Sequence, residues 1–321
     1  MNQFQIVSAY WQLAAQLLPV IVCTGIGVYW GLTKKAYPAE FVSNLAISIA
    51  TPSLVFYTLV STHLDNALLT KVALAAVTLT VIMALVAAVL LKLLRLPVFF
   101  LLPCATFPNA GNLGLPMSQL AFGDDGLVIA VALFAIFSLV QHTLAVSVLV
   151  WANRRQSSTT TVKRSFPYAV ALMGTSAMAL KALAIPVPTP ILNSAKMVGS
   201  LAVPMMLISL GYALSTIKQS SLGDGAKLAL ARMLTGLLSG LLLLWVFDLP
   251  DLVGEVLVQQ VLMPVAVVNY IYTQRFTPLG QTAASAVLIS TVFFAVIAPV
   301  VLWWAHVGVH WFLSMAPLIS R

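Results

Sequence analysis

Ten predominantly apolar runs follow one another along the chain, at 12–32, 39–60, 70–92, 97–122, 127–151, 165–184, 190–215, 227–247, 253–275 and 280–306. Polar or proline-containing breaks separate them. Most approach or exceed the roughly 20 apolar residues that a helix needs to cross a bilayer. The pattern predicts an all-α polytopic membrane protein of ten transmembrane helices. The N-terminal stretch carries no Lys or Arg before its first apolar run. It therefore reads as a permanent span rather than a cleaved signal. Residues 308–321 read as a short amphipathic C-terminal tail.

The longest polar stretch, NRRQSSTTTVKR, lies halfway along the chain. It divides a first five-helix repeat, 1–152, from a second, 165–307, with a cytoplasmic linker at 153–164. Landmarks recur at nearly one offset: Pro52 and Pro204, Lys71 and Lys227, Pro108 and Pro264. Five spans per half is an odd number, so the second repeat is inverted relative to the first. Inverted repeats are a common build of secondary transporters.

Composition agrees with the span pattern. Hydrophobic residues make up 61% of the chain and charged residues 7%, against about 25% charged in a soluble domain. So few charges cannot build a water-facing surface. The basic excess, 16 Lys and Arg against 8 Asp and Glu, sits in short connections and forms no patch, so no nucleic acid partner is expected. Its distribution instead sets orientation. With both termini outside, the inner loops hold Lys34, Lys35, Lys92, Arg95, Arg154, Arg155, Lys163, Arg164, Lys218, Lys227 and Arg275. Asp65, Asp124, Asp125, Asp248, Asp251 and Glu255 fall on the outer side. Arg232 lies inside the eighth span, nearer its inner end. Cys23 and Cys104 lie in apolar runs and read as reduced packing residues.

Candidate chemistry concentrates in two spans. In the fourth, FPNAGNLGLPMSQL, Pro108 and Pro116 bracket Asn109, Gly111, Asn112 and Gly114. Proline removes a backbone donor and clashes with the preceding turn. A helix break is expected here, and broken backbone is tolerated at membrane depth only against protein or a water-filled cavity. The free N–H ends of the half-helices would suit an anion, with Asn109 and Asn112 adding uncharged donors. The ninth span, QQVLMPVAVVNYIYTQR, breaks at Pro264, with Asn269 beyond it and Gln259 and Gln260 before it. His142, in the fifth span, is a further candidate because it is an intramembrane ionisable group. No acid falls near the middle of a span, which argues against coupling through a titrating carboxylate pair. Lys196 reads as snorkelling to the outer interface. His306 and His310, among Trp303, Trp304 and Trp311, read as an interfacial aromatic belt. No HExxH, GxSxG, P-loop or cysteine–histidine metal spacing is present, so neither an enzyme, a metal site nor a cofactor is expected.

These residues resemble the auxin efflux carrier family, which includes plant PIN-type carriers and bacterial members such as malonate transporters. PNAGNLGLP in the fourth span carries most of the likeness, and TPSLVFYTLV, PMMLISLGYALS and MPVAVVNYIYTQ are also similar to the family. The long central loop of some plant carriers is missing, as in the compact bacterial form. The resemblance implies a fold akin to bile-acid symporters and sodium/proton antiporters, with broken helices crossing in the fourth and ninth spans. It implies a homodimer in the bacterial inner membrane. It also implies elevator-type movement against a scaffold of the first, second, sixth and seventh spans. Pro108, Asn109 and Pro264 match the crossover motif. Asn269 stands five residues beyond its proline and so departs from it. The third span lacks the acid that plant members carry. The expected function is secondary transport of a small organic anion, malonate or a similar carboxylate. Substrate would bind Asn109, Gly111, Asn112, His142 and Asn269 beside the breaks at Pro108, Pro116 and Pro264. An anion channel, a non-transporting sensor and a sodium-coupled symporter of another organic acid are the alternatives.

Overall fold

The computed structural model describes residues 18–19, 21–61, 66–156, 168–215, 221–247, 249 and 251–303. The linker beyond residue 156 and the tail at 308–321, with His306, His310, Trp304 and Trp311, lie outside the described residues. Among those described, the chain is helical. Its helices are α1 (Ile21–Leu32), α2 (Ala39–Leu45), α3 (Thr51–Ser61), α4 (Asn66–Leu93), α5 (Val98–Thr106), α6 (Leu115–Val140) and α7 (Val146–Gln156). They continue as α8 (Tyr168–Ala182), α9 (Thr189–Gly199), α10 (Ala202–Leu214), α11 (Leu222–Val246), α12 (Asp251–Val261), α13 (Val267–Phe276) and α14 (Gly280–Trp303). Wider π turns at Ala46–Ala50, Ala110–Gly114 and Gln141–Ala145 lead into α3, α6 and α7.

Among the described residues, five helical runs are long and apolar enough to cross a membrane: Thr70–Leu93, Asp125–Asn153, Thr189–Ser209, Leu222–Val246 and Gly280–Ala298. Helix α4 shows why lipid must surround them. Leu74, Val77, Val81, Leu85 and Val89 form one outward stripe, each about half exposed or more. Val72, Ala75, Ala76, Leu79 and Met83 on the opposite face are fully buried.

Helix ends follow local chemistry. Lys34, Arg95 and Ala184 adopt positive φ (53°, 57° and 53°) just past α1, α4 and α8. The next amide then reaches back five residues: Lys35 to Trp30, Leu96 to Leu91 and Ile185 to Leu180. This is a Schellman-type stop, and prolines at 38, 97 and 186 keep the helix from continuing. Within α6 the helix changes course at Gly123, whose φ of 66° suits glycine. That kink divides the fourth apolar run from the fifth.

Helices α1 and α10 touch backbone to backbone. A Cβ on Gly27 would strike Ile208 O, and one on Gly211 would strike Thr24 O. Gly25, two residues away, has nothing within 4 Å of a Cβ. Gly211→Leu should therefore force the helices apart and cost about 1–3 kcal/mol. Gly25→Ala should be neutral or slightly stabilising. Thermal melting of the detergent-solubilised protein measures both, and equal midpoints would refute the close contact.

Candidate functional site

The site grows from two interrupted helices. Helix α5 stops at Thr106, the chain turns extended at Phe107, and Pro108 and Asn109 lead into the Ala110 π turn. Helix α12 stops at Val261, and Pro264–Ala266 leads into α13. Pro108 and Pro264 cannot donate, so each break lacks an amide that a helix would need. The breaks satisfy each other. They cross as an isolated antiparallel bridge between Pro108 and Val265. Asn109 N–H donates to Pro264 O at 2.8 Å, and Ala266 N–H donates to Phe107 O at 3.4 Å.

A crossing of this kind leaves two kinds of helix end in the protein interior. The carbonyl ends of α5 and α12 meet Arg232, which is fully buried on α11. Its guanidinium donates to Thr106 O at 2.8 Å, Ala105 O at 3.2 Å, Met263 O at 3.3 Å and Val261 O. Each helix C-terminus carries roughly half a negative charge, so two together balance about one cation. Gly236, one turn on, lets α11 approach this closely, since a Cβ there would strike Val261 O. The sequence reading set Arg232 near the inner end of its span. The structure places it against the crossing. Its position inside an apolar run was the available signal, because an intramembrane charge is a functional candidate by default.

Buried amides brace the crossing. Asn269, fully buried, donates to Pro103 O at 2.8 Å and Phe107 O at 3.3 Å and accepts from Gln141 Nε2 at 2.7 Å. Asn269 was expected to bind substrate. Both ends of its amide are instead committed to holding α13, the fifth-span helix and the α5 break together. On the other face, Ser118 donates to Gln259 Oε1 at 2.6 Å and accepts from Gln260 Nε2 at 3.0 Å. Pro116 was expected to break the fourth span. It lies just past the Ala110–Gly114 π turn, and the helical path runs through it at the loss of one main-chain donor. The interruption is at Phe107–Asn109 alone.

The amino ends of the half-helices face elsewhere. Asn109 precedes the π turn and Ala266 precedes α13. First-turn amides at 110–112 and 267–268 have no carbonyl within their own helices to bond. Pro108, Asn109, Ala110 and Gly111 line one side of a small cavity of about 50 Å³, together with Ala266, Val267 and Val268. The fifth-span residues Phe134, Phe137, Ser138, Gln141 and His142 line it too, and Thr51, Leu54, Ala202 and Met206 close it. The structure thus brings Asn109, Gly111 and His142 together at one cavity, beside the two prolines. Asn112 lies in the same π turn. Lys196 is exposed and sits 5.7 Å over the Tyr57 ring.

Apolar spans, a pair of crossed broken helices and a mostly apolar cavity with a few polar groups between helices are the features of a polytopic membrane protein. A family model described as membrane transport protein matches residues 13–171 and again 171–302. The chain belongs to this family, that of the auxin efflux carriers and PIN-like transporters. None of the curated proteins matches the chain.

Replacing Arg232 tests the crossing. Arg232→Met strands four carbonyls in a dry interior, and each stranded group costs about 1–3 kcal/mol. Monodisperse protein should largely disappear on size-exclusion chromatography. Arg232→Lys should rescue part of the yield, because a point charge reaches one helix end but not both. Wild-type behaviour of Arg232→Met would show that the carbonyls need no cation.

Proposed function

We propose that the chain is a secondary transporter of a small organic anion, with malonate or a similar carboxylate as the first substrate to test. One observation carries this reading: two helix amino ends and the Asn109 amide line one cavity, while the matching carbonyl ends are held by Arg232. The dipoles of α6 and α13 then favour negative charge in the cavity. Malonate in particular comes from the family resemblance. Family membership supports membrane transport itself.

The proposed architecture is ten spans in two inverted five-helix repeats, with both termini on the outer face of a bacterial inner membrane. Two features support the repeat. The positive-φ stops at Lys34 and Ala184 lie 150 residues apart. The breaks at Pro108 and Pro264 lie 156 apart and pair with each other. The cavity lies at a seam. Thr51, Leu54, Ala202 and Met206 belong to the second and seventh spans, and its remaining lining belongs to the crossing and the fifth span. A substrate held at such a seam suits elevator-type movement of the crossing helices against a scaffold, which would sit at a homodimer interface in lipid.

Uptake by proteoliposomes tests the site. A carrier shows saturable malonate uptake and counterflow. Asn109→Ala should lower uptake about tenfold, the loss of one hydrogen bond to a charged group. Unchanged uptake would remove Asn109 from the site, and ohmic current without saturation would favour an anion channel.

A further inference from the structure

His142 carries an inference that rests on the cavity being an anion site. Its ring is 3% exposed, on the π turn that lines the cavity. Nδ1 lies 2.6 Å from the carbonyl oxygen of Ser138, one helical turn back. A carbonyl only accepts, so Nδ1 carries a proton. A neutral imidazole has a single N–H. Nε2 is therefore a bare lone pair, and it is buried with no hydrogen-bond partner among the described residues. A bare lone pair repels a carboxylate, which also only accepts. The ring can serve an anion in this cavity in one way, by taking a proton at Nε2 and donating from both nitrogens.

The charge count points the same way. The two helix amino ends supply roughly one positive charge. A dicarboxylate brings two negative charges, and an imidazolium would offset the second. The groups around His142 offer no substitute. Tyr272 on α13 meets the imidazole edge-on, with centroids 5.6 Å apart, and Cys104 on α5 is bonded to Thr273. Charged residues on the packed helices stand at helix ends or bends: Asp125 beside the Gly123 kink, Arg154 and Arg155 ending α7, Lys181 ending α8 and Arg275 ending α13. The described lining contains no carboxylate to hold a proton on Nε2 while the cavity is empty.

We propose that His142 takes up one proton from water with each dicarboxylate that enters the cavity and releases it with the anion on the far side. An N–H bond forms at Nε2 on loading and breaks on unloading, so the anion moves as a proton symport. Linkage is reciprocal, so protonation raises anion affinity by the same factor as the anion raises proton affinity.

The test uses the full chain in proteoliposomes holding a pH-sensitive dye, with valinomycin and potassium fixing the potential. Radiolabelled malonate is added at about pH 7.5, where it is a dianion, with no initial pH gradient. The expected result is saturable malonate entry with lumenal acidification of about one proton per anion. The acidification should persist when His63, His306 and His310 are all replaced by Gln, and vanish in His142→Gln. Malonate entry without acidification overturns the proposal and leaves the anion site standing. Acidification that survives in a transporting His142→Gln variant also overturns it. No carboxylate movement by correctly reconstituted protein overturns the anion reading and this proposal together. A second readout needs no His142 variant. In the one-histidine protein, the ¹⁵N spectrum should show Nε2 becoming protonated on adding malonate at that pH, and an unchanged neutral ring overturns the proposal.

Discussion

Backbone polar groups cannot be left bare at membrane depth, and the structure depends on how Arg232 meets that demand. Crossing two broken helices exposes two sets of terminal carbonyls in the interior, away from water. One guanidinium, fully buried on α11, donates hydrogen bonds to both sets. The attraction works in both directions. A buried cation is costly unless paired, and two helix carbonyl ends supply roughly the opposite charge. Removing either partner would leave the other uncompensated. The planar fork of arginine suits this role, because it spans acceptors on two separate helices.

With the carbonyl ends occupied, the amino ends are left for something else. The breaks are tied together by only two backbone bonds, Asn109 to Pro264 and Ala266 to Phe107. Asn269 and Gln141 hold them from one face, and Ser118, Gln259 and Gln260 from the other. These amides fix where the first-turn N–H groups lie without adding charge of their own. The result is a separation of charge across the crossing, with a cation on the carbonyl side and the helix amino ends on the cavity side. That separation is what supports the proposal of an anion in the cavity.

Much of the frame was legible in the sequence, and the reasons are local. Proline lacks an N–H whatever surrounds it, so Pro108 and Pro264 could be read as breaks directly. Apolar run lengths marked the five long apolar helices among the described residues, because lipid imposes one thickness on each of them. Pro116 misled because a proline costs a helix one donor without always ending it, and the π turn that precedes it depends on the crossing. The role of Arg232 was hidden because its partners are main-chain carbonyls, which have no letter in a sequence. Asn269 was hidden in the same way, since Pro103 O and Phe107 O bind it and only the fold brings them near. The contact of α1 with α10 depends on Gly27 and Gly211, which are far apart in sequence and gave no periodic signal.

The central claim is that the cavity between the helix amino ends selects negative charge. The most direct measurement is thermal stabilisation of the purified protein by malonate against malonamide, its uncharged analogue of nearly the same shape. A ligand that binds only the folded state raises apparent stability in proportion to the logarithm of its concentration. Malonate should raise the melting temperature in a concentration-dependent way, and malonamide should leave it unchanged. Equal shifts from both compounds, or none from any carboxylate tried, would contradict an anion site at the crossing.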